Sequence, residues 1–508
     1  MTVTPVRSLV LAGGGMRVAY QAGAIRAMAE HGLRFQHGDG TSGGTMNLSM
    51  LLSGISPEDM CERWRTLDVK AFASLMPIME YLKGPLAMAL GNADGIINTV
   101  FPHLGIDVAR IRTKQDMAGT FNVCNFTRKT ANVIENTDVD LDLLIAGISL
   151  PIYMPPVETR GSTWTDAVWI RDANLMEAVR RGADEIWVVW CIGNTPTYFP
   201  GAFRQYVHMI ELSANGMLNE ELARIHEIND DIARGQTPHG RTRPVAVHVI
   251  KPEFALPLDP DFFLGRIDAR TLIDTGYSDA VRYLAQMRPE GVPLTWEATQ
   301  MQDEPGGITF REMMTGSFAL GETDPEKGAA VGATAGTTLT MHATVTVHDV
   351  DRFISDPQHP GSLLGDIDFT PWGSGLPSSK GVFNLFAPGN APKLKYMVYE
   401  LAFAYAGKPC YLAGKKHVHD DAGFDLLSDT TTLYTTLHEG TDATGKIIGA
   451  GVLKLGMGDF AKLLTTVRPT GSHQVTEGAA AVLKFTKFFA GQLMDTYGGA
   501  LGHFSSGS

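Results

Sequence analysis

The sequence is poor in cysteine and in basic residues. Its four cysteines, Cys61, Cys124, Cys191 and Cys410, never stand in the C-x-x-C spacing of a zinc site or redox motif. They therefore predict neither a metal centre nor a disulfide framework, and they fit a reducing, cytoplasmic setting. Lys and Arg total 42 against 55 Asp and Glu, for a formal net charge of -13. An acidic chain without a long basic run argues against nucleic acid as a partner, because such binding depends on clustered cations that contact phosphates.

Long apolar runs are also missing. A membrane-spanning helix needs about 20 largely apolar residues, and no stretch of the sequence reaches that length. The apolar run Ser8–Ala12 ends in glycines too early for the roughly 7–15-residue core of a signal peptide. We therefore expect no signal peptide and no transmembrane segment, and any contact with a membrane or a lipid aggregate should be peripheral. The sequence does not fix the oligomeric state.

The length of 508 residues predicts two domains. Residues 1–287 alternate apolar strand patterns with helical patterns, which indicates an α/β fold: a mostly parallel sheet between two layers of helices. Residues 288–306, rich in turn formers and charge, are expected to be a linker. Residues 307–497 hold strand-like runs and predict a β-rich α+β domain, a curved sheet or barrel, and residues 498–508 are a tail.

Two glycine turns near the N-terminus carry the first chemical signal. Gly13–Gly15 ends the first strand pattern, and such a loop presents main-chain N–H groups without obstruction by Cβ atoms, as an oxyanion hole requires. Gly40–Gly44 reads Gly-Thr-Ser-Gly-Gly and matches G-x-S-x-G, the strained strand-to-helix turn that exposes a serine hydroxyl. Because both turns follow early strands, they can converge at one edge of the sheet, which makes Ser42 a candidate nucleophile.

The glycine loop and the base each have an alternative interpretation. A dinucleotide loop of the form G-x-G-x-x-G would need glycine where Val18 stands, and no Walker-type lysine follows. The histidines of the first domain have no distinctive setting, so we interpret them as surface or packing residues. They are His31, His37, His103, His208, His226, His239 and His248. The base that activates the serine is therefore expected to be a carboxylate.

These regions resemble the patatin-like phospholipases, whose hallmarks are a GGGxR oxyanion loop, a GxSxG serine and an Asp-Gly-Gly or Asp-Gly-Ala motif. Gly13–Arg17 and Gly40–Gly44 fit the first two motifs, and Trp164–Ala178, followed by Arg-Arg-Gly-Ala-Asp, has the order of the third. The resemblance implies a Ser42–Asp166 dyad without histidine, metal or cofactor. It further implies an oxyanion hole and supporting residues, which are Gly13, Gly14, Gly15 and Met16 for the hole and Arg17, Gly40, Gly43 and Gly44 for support. Arg17 would steady the loop or meet an anionic head group.

The sequence departs from the family pattern at three places. Val18 replaces the usual glycine after the loop, Ala167-Val168 follows Asp166, and Phe35–Asp39 is more polar than the usual strand before the serine. Asp172 is the alternative base, but its place just before a helix that Asn174 can cap favours a turn role.

The second domain resembles an accessory region of cholesterol-oxidase-like members of the glucose–methanol–choline oxidoreductases over residues 307–497. The matching segments are Phe310–Gly316, Asp356–Pro360, Gly381–Phe386 and Gly423–Tyr434. The Rossmann fingerprint of the flavin domain is absent, so redox chemistry is not expected. The resemblance implies lipid or sterol handling beside an esterase.

Two further stretches each have a functional and a structural interpretation. Ala71–Leu90 is rich in Met and Leu, which suits a lid or acyl groove, although core packing is favoured because apolar helical stripes usually face the core. His417–Asp421 could be a metal cluster, but without a distant partner a solvated strand face is favoured.

The function expected from the sequence is that of a carboxylic ester hydrolase. Its substrate would be a lipid ester, such as a phospholipid, an acylglycerol or another acyl ester. The alternative is a catalytically inactive lipid-binding or scaffold protein that retains the fold.

Overall fold

A computed structural model describes residues 5–72, 74–75, 89–198, 200–258, 268–390, 394–418, 431–456, 466–471 and 475–502. The chain divides into two compact units, residues 1–303 and 304–508. Most of Ala71–Leu90, His419–Asp421 and most of Gly423–Tyr434 lie outside the described residues. Residues 288–303, within the expected linker, group with the first unit, where Gly291 bridges to Val247 and Gln302 to Phe254.

The first unit is built on a mixed, mostly parallel sheet. Its strands are β1 (Arg7–Leu11), β2 (His37–Thr41), β3 (Ser74–Leu75), β4 (Gly91–Asn92), β5 (Ala118–Asn125), β6 (Thr130–Glu135), β7 (Val157–Thr159), β8 (Ser162–Asp166), β9 (Glu185–Val189) and β10 (Ala246–Ile250). The sheet order is β10-β9-β1-β2-β5-β8-β7, with β6 also paired to β5, while β3 and β4 form a separate ribbon. The strands from β10 to β5 are parallel, and β6, β7 and β8 are antiparallel to their neighbours.

Helices cover both faces of this sheet. They are α1 (Ala19–Glu30), α2 (Gly44–Leu52), α3 (Pro57–Thr66), α4 (Phe101–Leu104), α5 (Val108–Thr113), α6 (Leu141–Gly147), α7 (Leu175–Arg180), α8 (Ala202–Ala233) and α9 (Ala269–Gln286). Leu9 and Leu11 of β1 join the core beneath α1, α2 and α9, whereas Val10 joins the core beneath α7 and α8. Successive side chains of a strand point to opposite faces, so a strand buried on both faces reads as a continuous apolar run. The predicted three-layer α/β fold is confirmed.

The second unit is a closed antiparallel barrel, which confirms the predicted β-rich domain. Its strands are β11 (Gly307–Leu320), β12 (Thr338–Val347), β13 (Pro360–Phe369), β14 (Gly373–Pro388), β15 (Lys395–Tyr405), β16 (Lys408–Val418), β17 (Thr432–Glu439), β18 (Ile447–Leu455) and β19 (Arg468–Thr470). Strands β11 to β18 pair in sequence, and β11 pairs with both β12 and β18, which closes the circle. Its helices are α10 (Pro325–Ala335), α11 (Val350–Ser355) and α12 (Val475–Gly502).

The alternation of Thr338–Val347 explains how the barrel encloses its core. Leu339, Met341 and Val345 are buried, and the intervening polar side chains are partly exposed. A period of two places all apolar side chains of the strand on one face. Phe485 of α12 joins the same apolar core. Among the helices described, none is both long and apolar enough to cross a membrane.

Candidate active site

Ser42 occupies a sharp turn between β2 and α2. Strands β1 and β2 are parallel neighbours, with Leu11 opposite Gly40, so the turns that follow them meet at one edge of the sheet. The φ angle of Ser42 is 50°, a left-handed conformation that costs energy for a residue with a side chain. The serine is 8% exposed. This strained strand-to-helix turn is the geometry that the G-x-S-x-G pattern predicts.

The glycines after the serine allow the turn to pack against the glycine loop. A Cβ atom on Gly43 would lie 2.6 Å from the carbonyl oxygen of Gly15, and one on Gly44 would collide with the carbonyl oxygen of Leu11. Val18, which replaces a family glycine, is buried and packs its side chain towards Gly43. The departure at position 18 is thus accommodated by the absence of a side chain at position 43.

Asp166 ends β8 and is 1% exposed. Its Oδ1 accepts a hydrogen bond from the Val168 N–H at 2.8 Å. Its Oδ2 is also buried, but no described residue donates a hydrogen bond to it. Burial raises the pKa of Asp166 to about 7, and the nearby Ser42 hydroxyl and the N–H groups of Val168 and Ala167 oppose that rise. The structure therefore brings Ser42 and Asp166 together, with one carboxylate oxygen uncommitted.

The glycine loop lies beside the serine, but its four amides are not equivalent. The N–H of Gly13 lies 3.0 Å from each carboxylate oxygen of Asp172, to which it donates. The amides of Gly14 and Gly15 have no acceptor among the described residues. Since the Gly13 N–H is already engaged, Gly14 and Gly15 are the better placed donors for an oxyanion, and Met16 is buried next to them.

Arg17 contacts the loop itself. Its side-chain Nε donates to the carbonyl oxygen of Gly14 at 3.0 Å, and its main-chain N–H donates to the same oxygen at 3.1 Å. Gln21 adds a third link, because its Nε2 donates to the carbonyl oxygen of Ala12 at 2.6 Å. Of the two roles expected for Arg17, these contacts support the steadying of the loop.

Asp172, the alternative base, lies against Gly13 close to Ser42. A Cβ on Gly13 would collide with Asp172 Oδ1 and would stand 2.9 Å from the Cβ of Ser42. Burial and the charge of Asp166 raise the pKa of Asp172 to about 8, and the Gly13 N–H and Arg17 oppose that rise. Both oxygens of Asp172 are engaged by Gly13, whereas Oδ2 of Asp166 has no hydrogen-bond donor among the described residues.

A buried polar network behind the serine was not predicted. Asp39 of β2 accepts hydrogen bonds at 2.6 Å from Thr120 Oγ1 and from Asn122 Nδ2, and Asn122 Oδ1 accepts from Asn174 Nδ2 at 2.9 Å. Asn174 caps α7 by accepting from the Glu177 N–H, which confirms that predicted helix start. The network joins β2, β5 and α7, and the polar character of Phe35–Asp39 was its signal in the sequence.

The first-unit histidines that are buried have partners other than the serine, and for His208 the partner is Glu211, with Nδ1 2.7 Å from Oε2. His37 contacts Ser8 Oγ and Thr120 Oγ1, and the ring of His248 stacks on Trp187. No hydrogen bond joins a described histidine to Ser42. One group of possible metal ligands occurs among the described residues, in the second unit, where ligand atoms of His342, Asp366 and Asp368 lie within 4.8 Å of one another.

A protein-family model matches the part of the chain that contains these site residues. Residues 9–179 match the family model described as patatin-like phospholipase, a stretch that includes the glycine loop, Ser42, Asp166 and Asp172. The first unit thus carries a patatin-like domain. No curated protein sequence matches the chain.

Two solved structures are weakly similar to this chain. VipD from Legionella pneumophila has a TM-score of 0.32 and 14% identity, over 56% of this chain and 67% of VipD. The complex of full-length SpcU with full-length ExoU from the Pseudomonas aeruginosa type III secretion system has a TM-score of 0.19 and 14% identity, over 58% of this chain and 76% of that one. Scores this low carry no functional inference.

Proposed function

We propose that the first unit is a lipid acyl hydrolase with Ser42 as nucleophile and Asp166 as base. The observation that carries the proposal is the adjacency of a strained serine turn and a buried carboxylate with one uncommitted oxygen, inside the part of the chain that matches the patatin-like phospholipase family. A family of lipid hydrolases supports lipid hydrolysis in general. The dyad and the ester class are the finer part of the proposal.

The reaction follows from the two side chains and the glycine loop. Ionised Asp166 accepts the hydroxyl proton as Ser42 Oγ bonds to the ester carbonyl carbon, and the carbonyl oxygen becomes an oxyanion. The amides of Gly14 and Gly15 stabilise that charge. Protonated Asp166 then gives its proton to the leaving alcohol as the ester C–O bond breaks, which leaves an acyl serine. Water, deprotonated by Asp166, then attacks the acyl carbon, and the bond from that carbon to Ser42 Oγ breaks as Asp166 returns the proton to Oγ. This releases the fatty acid and the free serine.

The surface next to Asp166 supports an apolar substrate. Burial raises the pKa of Tyr206, and the charges of Tyr153 and Asp166 add to that rise. The Tyr206 ring packs against Trp169, with centroids 5.7 Å apart, and its hydroxyl donates to the carbonyl oxygen of Pro151 at 2.8 Å. The segments that meet near Tyr206 carry exposed apolar side chains, here called the apolar rim: Leu90, Ile152, Tyr153, Phe203, Met209 and Leu212.

The side chains of the apolar rim keep much of their surface exposed. Leu212 is 71% exposed, and the β-branched Ile152 has a φ of 78°, a conformation that such residues rarely adopt. A clustered apolar surface on a protein usually marks a binding surface. An acyl chain, or the lipid aggregate that supplies it, has the chemistry that this surface would bind.

A substrate panel tests the proposal. The full chain would be assayed on p-nitrophenyl esters, phospholipids and sterol esters, together with Ser42→Ala, Asp166→Asn and the matched control Ser162→Ala. Ser162 lies on the same strand as Asp166. We expect fatty acid release by the wild type and by the control, and none above background by the two dyad variants.

A wild type that binds lipid vesicles but hydrolyses none of these esters would overturn the proposal in favour of a non-catalytic lipid-binding protein. Hydrolysis that survives Ser42→Ala would overturn the assignment of the nucleophile. The lipid- or sterol-handling role of the second unit stays a prediction, and the sterol-ester arm of the panel, run with and without phospholipid as competitor, addresses it.

A further inference from the structure

We propose that Asp172 is a positioning residue that holds the oxyanion loop against Ser42 through the main chain of Gly13. The proposal rests on the hydrolase function proposed above and adds a residue to it. Asp172 itself does not touch the substrate. It fixes the first residue of the loop, so that the next two amides face the ester carbonyl.

The contact between Asp172 and Gly13 is the strongest argument. Asp172 is 0% exposed, and both of its oxygens lie 3.0 Å from one N–H. A buried carboxyl is costly unless it is hydrogen-bonded, and the hydrogen bonds described for this one go to the loop. Gly13 has no room for a side chain, because a Cβ there would meet both Asp172 Oδ1 and the Cβ of Ser42. A shift of Asp172 would therefore move the loop relative to the nucleophile.

Asp172 also differs from the other side chains that hold the loop. Arg17 and Gln21 bind it from three and nine residues away in the sequence. These contacts shape the loop, but they do not connect it to a distant segment of the chain. Asp172 is 159 residues from Gly13. It lies between Asp166 and the start of α7, where Asn174 bonds to Asn122 of β5. Asp172 thus ties the oxyanion loop to the segment that carries the base.

The charge of Asp172 has a consequence for the reaction. Burial and Asp166 both favour its protonated form, whereas the positive charge of Arg17 disfavours it. Asp172 also affects the Cys191 thiol: burial raises the pKa of that thiol, and the charge of Asp172 adds to the rise. Because the charge of Asp166 raises the pKa of Asp172, the two carboxyls resist ionising together, and in the proposed working state Asp166 is ionised and Asp172 is neutral. Ionisation of Asp172 adds a negative charge next to the developing oxyanion, which opposes the reaction.

Two substitutions separate positioning from mere structural support. Asp172→Asn keeps a neutral side chain with one acceptor oxygen for Gly13, and Asp172→Ala removes the acceptor. The exposed Asp351→Asn in the second unit is the matched control. Each full-length variant is assayed for kcat and KM on a soluble p-nitrophenyl ester from pH 5 to about 10, with circular dichroism as a check of folding.

The expected results are specific to positioning. Asp172→Ala should lower kcat about 10- to 100-fold with KM little changed, because a displaced donor acts on the transition state. Asp172→Asn should recover most of that loss near pH 7. The wild-type activity should fall at alkaline pH with a midpoint near 8, and this fall should disappear in Asp172→Asn while the acid side of the profile stays in place.

Outcomes that overturn the inference differ from those that overturn the function. A wild type without esterase activity removes the proposed function and this inference with it. An active wild type whose kcat is unaffected by Asp172→Ala overturns the inference alone, and so does an alkaline fall that Asp172→Asn leaves unchanged. If Asp172→Ala does not fold, the profile of Asp172→Asn decides between the two results.

Discussion

Gly13 and Ser42 lie so close that a Cβ atom on the glycine would stand 2.9 Å from the Cβ of the serine. Real side chains do not approach this closely, so Gly13→Ala should displace the loop or the nucleophile. We expect it to lower esterase kcat about 100-fold or more, of the order seen when an oxyanion donor is lost. Gly216→Ala is the control, because a Cβ there meets nothing within 4 Å. Equal activity of Gly13→Ala and the wild type would show that the loop does not serve the reaction.

The pKa of Asp166 predicts the acid side of the pH profile. Burial raises that pKa to about 7, and only the ionised carboxylate can accept the serine proton. Activity should therefore be lost as pH falls through about 7, rather than near 4, where an exposed Asp titrates. The measurement is kcat on a soluble ester from pH 5 to 8. A profile that is flat down to about pH 5 would contradict the assignment of Asp166 as base.

The apolar rim predicts a difference between aggregated and soluble substrates. Leu212→Glu and Met209→Glu place charge on exposed positions of α8, so they should weaken contact with a lipid surface. We expect activity on phospholipid vesicles to fall at least about fivefold more than activity on a soluble p-nitrophenyl ester, because burying a charge in lipid is unfavourable. Val331→Glu, exposed on α10, is the control. Equal losses on both substrates would contradict a role in lipid contact.

Most of the scaffold could be predicted, because it depends on short-range patterns. The apolar run of β1, the turn at Gly40–Gly44, the Asn174 cap and the alternation of Thr338–Val347 all act over a few residues, and each was found where the pattern indicated. The site details depend on contacts between distant segments. The bond from Gly13 to Asp172 joins residues 159 positions apart, and no local pattern reports it.

The same limit applies to the second unit. Its strands were visible in the sequence, but barrel closure requires β11 to pair with both β12 and β18, and strand order has no local signature.

A second consequence of closure is a polar cluster inside an apolar core. Lys416 is 2% exposed and lies 3.3 Å from Glu312 Oε2, while Tyr399 donates to Glu312 Oε1 at 2.9 Å.

This cluster predicts how the barrel responds to substitution. Lys416→Ala leaves Glu312 buried without its cation, which should cost about 3–5 kcal/mol of unfolding free energy. The double variant Lys416→Met, Glu312→Leu removes both charges and should recover most of that loss. Urea unfolding of the full chain, followed by circular dichroism, measures both. A double variant no more stable than Lys416→Ala would contradict the expected recovery.

Covalent labelling of the wild-type chain with a fluorophosphonate, with the modified peptide located by mass spectrometry, tests the central claim most directly. An activated serine attacks phosphorus and retains the adduct. We predict one adduct, on Ser42, that is lost in Ser42→Ala and slowed in Asp166→Asn. A folded wild type in which Ser42 stays unmodified would contradict the account.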